Sequence, residues 1–470
     1  MEYPCYGSAD YRTPAFHAEY ENGSAVTCLK YKEYKIFQGK NSLRVLPATY
    51  VESKKEAETL EITLWDKMTG LEVVLSYTVF ENYDAIAKSV KVKNNGNKKI
   101  NIKSILSSTT YLFDKDFDFV HLEGAWARER NIQRKPLING LMAIDSKRVS
   151  SSHNHSPFLA LARTHTTETQ GDVYGFSLIY SGNHIEQTDT DPHGLVRINV
   201  GINPFGFNWL LENGDEFQAP EVILTYSNCG FGKMSRTFHE LYRNRLCRGK
   251  YRDKERPVLI NNWEDTYFDF NEEKILAIAE KAKDVGVELM VLDDGWFGKR
   301  DSDNCSLGDW FVDKRKLPNG IEGLAKKIVA KGMKFGLWFE PEMISEDSDL
   351  FRAHPDWCID CKGREKTPSR QQFVLDLSRQ DVCDYIVDAV SNILSSAPIS
   401  YVKWDMNRNI TEIGSAELPE NRQQELPHRY ILGLYDVLER LTIKFADVLF
   451  EGCSGGGGRF DAGMLYYFPQ

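Results

Sequence analysis

The sequence predicts a β-sandwich domain followed by a parallel α/β domain of the (β/α)8-barrel type. Short alternating strands with turn signals dominate the first half, and helical periodicity is scarce there. After residue 257, near-continuously apolar strands alternate with amphipathic helices, a pattern typical of a parallel sheet. The charged stretch "RLCRGKYRDKERP" separates the two patterns. We therefore divide the chain into a sandwich (1–245), a linker region (246–256) and a barrel domain (257–470).

The sandwich is predicted from period-2 alternation and from glycine turns. "TLEITLW" alternates apolar and polar side chains, and "KMTGLEVVLSYTVF" contains a turn at Gly70. Two alternating strands flank Asn95-Gly96 in "AKSVKVKNNGNKKINIKS", and this dipeptide predicts a hairpin between them. Further strands are predicted in "VYGFSLIYSG" and "PEVILTYS". Together they indicate a large sandwich.

The second half contains five predicted strands with helices between them. The strands lie in "PVLINNW", "VELMVLDD", "KFGLWFEPE", "SYVKWDM" and "DVLFEGCS". The helix in "NEEKILAIAEKAKDVG" ends at Gly286, a typical C-cap glycine. Its predicted apolar face consists of Ile275, Ile278, Ala279, Ala282 and Val285. A capping box from Ser378 to Asp381 predicts the start of a later helix.

Polar side chains follow every strand of the second half. They are Trp263-Glu264, Asp293-Asp294, Trp338 with Glu340, Lys403 with Asp405, and Glu451 with Cys453. In a (β/α)8 barrel the site lies at the carboxyl ends of the strands, which fits this recurrence. A doubly wound sheet is the alternative, but it usually has a glycine-rich turn after its first strand, which "NNWEDTYFDF" lacks. We favour the barrel, of whose eight strands this chain supplies about five.

Composition narrows the class of protein. The net charge of −10, without a basic stripe, argues against nucleic-acid binding and suits a neutral ligand. No run of about 20 apolar residues predicts a membrane span. The first residues show no secretion signal, and the nine cysteines are scattered along the chain. We therefore expect reduced thiols and a cytoplasmic location.

Two short motifs raise the question of a metal. Cys358 and Cys361 form a single CxxC, and a zinc site of this kind requires a second pair. His153 and His155 in "SSHNHSPF" have no acidic or cysteine neighbours in the sequence. We interpret the cysteines as structural and the histidines as a loop pair bonded to backbone, and we predict no metal site.

The residues at the strand ends suit a neutral polyhydroxylated ligand. Carboxylates accept hydrogen bonds from adjacent hydroxyls, lysine donates, and tryptophan offers a flat apolar face to a sugar ring. Asp293-Asp294, Trp338 and the pair Lys403 and Asp405 supply these groups. Clustered carboxylates also suit Mg²⁺, but the lysine ammonium counts against a cation.

Asp405 is the most specific candidate. Tyr401, Lys403 and Asp405 share one face of the strand in "SYVKWDM", and a neighbouring ammonium favours an ionised carboxylate. An ionised carboxylate at a buried strand end is suited to nucleophilic catalysis. A retaining glycosidase needs a second carboxyl about 5 Å away as acid. Asp405 is therefore predicted as the nucleophile of such a pair.

Four ordered motifs carry a family resemblance. "VLDDGWF", "GLWFEPEM", "YVKWDMNR" and "FEGCSGGGGRFD" resemble glycoside hydrolase family 36, the microbial α-galactosidases that act on melibiose and raffinose. "YGSADYRTPAF", "GAWARER" and "GINPFGFNWLLENGD" are similar to blocks of that family's N-terminal β-supersandwich. The resemblance covers essentially the whole chain. It implies retaining hydrolysis of terminal non-reducing α-D-galactosyl residues, without metal or organic cofactor.

The resemblance also implies roles for single residues. Asp405 matches the nucleophile. The positions that match substrate contacts are Asp293, Asp294, Trp338, Arg370, Lys403, Trp404, Met406, Asn407, Cys453, Ser454, Gly455 and Gly456. Asp10 resembles an aspartate of the N-terminal domain that reaches the site. Trp126 resembles a tryptophan that a neighbouring subunit donates to the site, which implies a homotetramer. The resemblance also implies that the protein binds α-galactoside oligosaccharides.

The ends of the chain depart from the family pattern. Family members begin upstream of the "YGSADYR" block, and after "MLYYFPQ" they continue with an aspartate-rich segment, further barrel strands and a C-terminal β domain. The resemblance implies that the general acid/base lies beyond Gln470, and neither Glu451 nor Asp461 matches it. We therefore expect residues 1–470 alone to be inactive. The alternatives are an α-N-acetylgalactosaminidase, with Cys453 near the sugar's C2, and a non-catalytic sugar-binding remnant.

Overall fold

The polypeptide, described from residue 2 to residue 470 in a computed structural model, divides into two units. The sandwich unit contains the residues up to Cys247 together with Pro419–His428 and Gly457–Tyr466. The barrel unit contains Arg248–Leu418, Arg429–Gly456 and Tyr467–Gln470. Two late segments of the chain therefore belong to the sandwich unit, which no composition shift in the sequence indicates.

The first half of the chain is built almost entirely of strands. In chain order they are β1 (Phe16–Tyr20), β2 (Lys30–Gln38), β3 (Ala57–Asp66), β4 (Leu71–Phe80), β5 (Ala85–Asn94), β6 (Ile100–Leu112), β7 (Asp118–Ala125), β8 (Arg128–Pro136), β9 (Gly140–Asp145), β10 (His155–Ala162), β11 (Val173–Ile179), β12 (His184–Thr190), β13 (Val196–Ile202), β14 (Trp209–Leu211), β15 (Glu216–Gln218) and β16 (Glu221–Ser227). The helix α1 (Gly230–Arg245) follows them.

The second half alternates strands and helices as predicted. Its elements are β17 (Leu259–Asn261), α2 (Trp263–Thr266), α3 (Glu272–Asp284), β18 (Leu289–Leu292), α4 (Gly320–Ala330), β19 (Lys334–Phe339), β20 (Met343–Ile344), α5 (Asp349–Ala353), β21 (Phe373–Val374), α6 (Gln380–Ser396), β22 (Tyr401–Trp404), α7 (Leu426–Lys444), β23 (Leu449–Gly452) and α8 (Ala462–Leu465). Short 3₁₀ segments occur at Lys54–Glu56, Pro355–Trp357, Ser369–Gln371 and Glu420–Glu425.

Two antiparallel sheets form the sandwich. One has the order β1-β6-β13-β12-β9 with β14 beside β6, and the other has the order β2-β3-β4-β5-β16-β11-β10-β7-β8 with β15 beside β5. The helix α1 covers the outer face of the larger sheet, where Met234 and Phe238 pack with Ile223 in one buried cluster. The sandwich predicted from the alternating strands is confirmed.

The predicted hairpin at Asn95-Gly96 is wrong. β5 pairs with β4 and β16, whereas β6 pairs with β1 and β13, so the connection passes from one sheet to the other. The Asn94 side chain closes this turn by accepting a hydrogen bond from the Gly96 N–H at 3.0 Å. A strand buried on one face has the same alternation in either sheet, so the pattern alone does not identify its partner.

The barrel unit contains a five-stranded parallel sheet of order β17-β18-β19-β22-β23. Each strand lies beside the one that precedes it in the sheet's chain order, without the reversal that a doubly wound fold requires. The partial barrel is therefore the correct architecture. Its register aligns Trp338 with Lys403 and Lys403 with Glu451, so polar strand ends from three strands meet in one row.

Two details of the predicted helices differ in the structure. In α3, Ile275, Ala279 and Ala282 are buried, but Val285 is 80% exposed because the helix ends one residue before it. Gly286 has the left-handed φ of 91° expected after a helix end.

The capping box predicted at the start of α6 does not form. Arg379 occupies the N-cap position without a side-chain cap. The Ser378 hydroxyl instead donates to Asp376 at 2.5 Å, and Asp381 forms an ion pair with Arg379 at 2.8 Å. Both members of the predicted box are therefore bound to other partners.

A helix that crosses a membrane must be long and apolar. Within residues 2–470, no helix is both long enough and apolar enough to cross a bilayer.

Candidate functional site

The site lies in the barrel unit, at the edge where the parallel strands end. Parallel strands all point the same way, so the residues that follow β18, β19, β22 and β23 meet at one edge. The predicted groups Asp293, Asp405 and Cys453 follow these strands, and Lys403 lies near the end of β22. Hydrogen bonds join Lys403 to Asp293, and the Met406 N–H joins Asp405 to the Cys453 carbonyl.

Asp405 follows β22 and is held by a donor on each carboxylate oxygen. Its Oδ2 accepts from the indole Nε1–H of Trp338 at 3.0 Å, and its Oδ1 accepts from the Met406 N–H at 3.0 Å. The residue is 5% exposed. A carboxylate fixed at both oxygens has little rotational freedom, and each oxygen keeps a lone pair free for a further contact.

Lys403 forms an ion pair with Asp293 and is influenced by the charge of Asp405. Its Nζ donates to Asp293 Oδ2 at 2.9 Å. Burial lowers the pKa of Lys403, but the negative charges of Asp293 and Asp405 raise it by more, so the ammonium form is favoured. The positive charge of this lysine therefore offsets the repulsion between the two buried carboxylates.

Two asparagines at the end of β17, Asn261 and Asn262, also form hydrogen bonds with Asp293. They were not predicted as site residues from the sequence. The Asn261 side chain donates to Asp293 Oδ2, and the Asn262 Oδ1 accepts from the Asp293 N–H at 2.8 Å. The only sequence signal was their place at the end of the first barrel strand, beside the more conspicuous Trp263 and Glu264.

Asp294 is bound differently from its neighbour. Arg300 donates to both of its oxygens, from Nε at 2.9 Å and from Nη2 at 2.8 Å. Burial raises the pKa of Asp294, and the Arg300 guanidinium opposes this. Asp294 therefore already holds one bidentate partner, and its remaining lone pairs are those available to a ligand.

Glu340 follows β19 and is a buried acid. The sequence placed it at a strand end but indicated no role for it. Its Oε1 accepts from the Gln372 side chain at 2.9 Å and from the Asn407 N–H at 2.5 Å. Burial and then the negative charge of Asp405 raise the pKa of Glu340 to about 8. It is thus mostly protonated at neutral pH, which avoids a second negative charge beside Asp405.

The loops after β22 and β23 are tied to each other. The Cys453 carbonyl accepts from the Met406 N–H at 3.1 Å, the Ser454 hydroxyl donates to the Met406 carbonyl at 2.6 Å, and Asn407 Oδ1 accepts from the Gly455 N–H at 2.8 Å. Burial and then the charge of Asp405 raise the pKa of the Cys453 thiol.

The loop after β23 contains two glycines with a left-handed backbone conformation. Gly455 and Gly456 have φ of 54° and 84°, a left-handed region that glycine adopts without strain.

Two predicted contacts are placed apart from this group. The Trp404 indole is fully buried and donates to Glu342 at 2.9 Å, on the opposite face of β22 from Lys403. Its predicted sugar contact stays a prediction. Arg370 is exposed with φ 55°, and its side chain makes no hydrogen bond or ion pair within residues 2–470.

The two predictions in the sandwich unit involve surface positions. The hydrogen bond from Arg12 lowers the pKa of Asp10 to about 2, and Arg197 also donates to this carboxylate. Trp126 lies at the turn between β7 and β8 and is 74% exposed.

The carboxyls with no family role also have structural partners. Asp461, in the sandwich unit, accepts from Ser151 and Ser181 at 2.5 and 2.7 Å and caps α8. Glu451, in the barrel unit, accepts from the Tyr401 hydroxyl. Both are occupied by neighbours that stabilise the fold.

The histidine pair has acidic neighbours in the structure. His155 begins β10, and its register partner on β7 is Glu123, while the His153 ring lies 3.7 Å from the Glu129 carboxylate. These acidic neighbours come from other strands, so the local sequence does not reveal them.

Family comparison covers nearly the whole chain. Residues 216–470 match the melibiase family, and residues 1–212 match the glycosyl hydrolase family 36 N-terminal domain. Among curated relatives, the α-galactosidase AgaA of Geobacillus stearothermophilus is 56% identical and the α-galactosidase Mel36A of Lactobacillus acidophilus is 48% identical. All of this chain aligns with each, and it spans 64% of either relative's length.

Solved structures agree with these matches. The crystal structure of the family 36 α-galactosidase AgaA superposes with a TM-score of 0.99, covering all of this chain and 66% of that one. A variant of the same enzyme solved with raffinose gives the same score and coverage. With both halves matched in order and 56% identity along its length, the chain belongs to glycosyl hydrolase family 36.

Proposed function

We propose that the protein hydrolyses terminal α-D-galactosyl residues of oligosaccharides of the melibiose and raffinose type, by a retaining double displacement. The observation that carries the proposal is Asp405, a buried carboxylate held at both oxygens beside the Lys403 and Asp293 pair. Relatives named α-galactosidases, one of them solved with raffinose, support the choice of substrate. We further propose a cytoplasmic location.

In the first step, Asp405 attacks the anomeric carbon. The carboxylate oxygen forms a bond to that carbon while the bond to the leaving oxygen breaks, and the leaving oxygen takes a proton from the general acid. The donors Trp338 and Met406 hold the carboxylate so that little reorganisation is needed at the moment of attack. In the second step, the deprotonated general acid takes a proton from water, the water oxygen forms a bond to the anomeric carbon, and the bond from that carbon to Asp405 breaks.

Recognition of galactose rests on the groups around the nucleophile. We propose that Asp293 and Asp294 accept hydrogen bonds from sugar hydroxyls and that Lys403 and Asn407 donate to them. Trp338, which stacks on Phe297 with an interplanar angle of 11°, contributes an apolar wall. Arg370 and the loop Cys453–Gly456 are proposed to close around the ring, Met406 holds that loop in place, and Trp404 supports β22 from behind.

The general acid is proposed to lie outside residues 1–470. Two other carboxyls could be considered for this role, but both have structural partners. Glu451 accepts a hydrogen bond from Tyr401, and Asp461 caps α8. We also propose that the protein assembles as a homotetramer, in which the exposed Trp126 reaches a neighbouring subunit and Asp10 approaches the substrate.

The stereochemistry of the product tests the double displacement. We expect the first-formed galactose to be the α anomer, because two successive inversions restore the starting configuration. Proton NMR in the first minutes of turnover, before mutarotation equilibrates the anomers, distinguishes the two. Initial β-galactose would refute the proposal.

The buried acid Glu340 predicts a pH dependence of stability. Its pKa is about 8 in the folded protein against an ordinary value of 4.5, so over this window the native state holds a proton that the unfolded chain has released. Stability therefore falls as the pH rises from about 4.5 to 8. We expect Glu340→Gln to remove this component, so that thermal unfolding shows a smaller decline in Tm across the window.

The matched control for this test is Glu273→Gln, at an exposed position of α3. It should leave the pH dependence as in the wild type. Identical slopes of Tm against pH in the wild type and Glu340→Gln would show that Glu340 is ionised in the native state.

A further inference from the structure

Three metal-ligating side chains meet in the sandwich unit, apart from the residues proposed for catalysis. His121 and Glu123 are two residues apart on β7, so they share one face of the sheet. His155 begins the adjacent strand β10, with Glu123 as its register partner. One ligand atom from each of the three lies within 4.8 Å of the other two.

The orientation of His155 leaves one ring nitrogen available. Its Nδ1 lies 3.3 Å from the Asp145 carbonyl oxygen. A carbonyl oxygen only accepts, so Nδ1 carries the proton and the neutral ring keeps its lone pair on Nε2. Metal-binding histidines commonly donate their second nitrogen to a backbone carbonyl in this way.

His121 is buried without a partner. The residue is 4% exposed, and its Nδ1 has no hydrogen-bond partner among residues 2–470. A buried unpaired nitrogen costs free energy unless a ligand satisfies it.

The spacing of the rings suits a shared ion. The centroids of His121 and His155 are 5.6 Å apart. Two imidazoles on one tetrahedral zinc ion have centroids about 5 Å apart, given Zn–N bonds of about 2 Å. Lys135 of β8 lies opposite Phe119, and its positive charge acts on His121. It is therefore a nearby group that opposes a cation.

We propose that His121, Glu123 and His155 bind a divalent transition-metal ion, with zinc preferred. Two imidazole nitrogens and one carboxylate oxygen are ligands that zinc accepts, and a water molecule completes the tetrahedron. The ligand atoms need to approach one another by about 1 Å, since tetrahedral ligands lie roughly 3.4 Å apart.

The ion would link β7 to β10 close to the turn of the β7–β8 hairpin. Trp126 lies at the tip of this hairpin. We infer that zinc rigidifies the segment that presents Trp126, a structural role separate from the galactosidase chemistry.

Zinc titration of the intact protein tests the proposal. All nine cysteines are free, and Cys28 and Cys229 are exposed, so accessible thiols are first alkylated with iodoacetamide. Isothermal titration with Zn²⁺ should then give one site per chain. Glu123→Gln and His155→Gln should weaken the affinity by more than about 100-fold, since loss of an outer-shell partner alone typically costs about 10–100-fold.

Two other histidines provide matched controls. His193→Gln alters an exposed histidine of the sandwich unit, and His153→Gln alters the histidine two residues before His155. Both should bind zinc as the wild type does. Equal affinity in the wild type and His155→Gln overturns the proposal, as does zinc binding that is lost in His153→Gln and kept in His155→Gln.

A second readout guards against misfolded variants. Zinc should raise the Tm of the wild type, because an ion that binds only the native state stabilises it, and it should leave the Tm of His155→Gln unchanged. Circular dichroism confirms that each variant is folded before titration. A Tm rise of equal size in both proteins would also overturn the proposal.

Discussion

Replacing Asp405 by alanine should abolish turnover of aryl α-galactosides, with a loss in kcat of about 10⁴–10⁶-fold, as for other catalytic nucleophiles. The fold should be retained, because the Met406 N–H keeps the Cys453 carbonyl as an acceptor and the loss is confined to the hydrogen bond from the Trp338 indole. The measurement is steady-state kinetics on the catalytically active protein, with Tm as the check on folding.

Added azide should restore part of this activity. The small anion fits the space that the carboxylate leaves and attacks the anomeric carbon from the same side, so the product is the inverted β-galactosyl azide. Asp388→Asn, at an exposed position of α6, is the matched control and should keep wild-type turnover. Wild-type kinetics in the alanine variant would remove Asp405 from the mechanism.

The polypeptide of residues 1–470, expressed alone, should not hydrolyse melibiose. Loss of the proposed general acid costs a factor of about 10²–10⁴ for a sugar leaving group. In addition, β23 and β17 are the outer strands of the parallel sheet, and their outer edges pair with no strand among residues 2–470. We expect this second loss to dominate.

A substrate whose leaving group needs no proton separates the two losses. With α-galactosyl fluoride, a chain that lacks only the acid would still be glycosylated at Asp405, and mass spectrometry would detect one added hexosyl group. We expect no label, together with rapid proteolysis of the barrel unit. Near-normal hydrolysis of melibiose by this polypeptide would show that the acid lies within residues 1–470.

The sequence indicated which candidate residues share a face of a strand, but it did not indicate their hydrogen-bond partners. Alternation within "SYVKWDM" was enough to place Lys403 and Asp405 on one face, and the structure adds that Lys403 pairs with Asp293. The hairpin signal of Asn95-Gly96 failed, because the two strands that flank it belong to different sheets and their alternation does not identify the sheet.

Groups that depend on distant strands could not be predicted. Glu340 is buried against Gln372 and Asn407, and its raised pKa arises from that burial and from Asp405. Similarly, Glu123 meets His155 through strand pairing alone. No local sequence pattern predicts these contacts, because each depends on how distant segments of the chain align in the fold.

The paired hydrogen bonds between Asp294 and Arg300 have a consequence for engineering substrate preference. Arg300 also donates to the Cys305 carbonyl, so Asp294 anchors the long loop that follows β18. A change at Asp294 would therefore alter loop order and sugar contact together. Arg370, exposed and unpaired within residues 2–470, is the position open to variation, and its left-handed backbone favours asparagine or glycine as replacements.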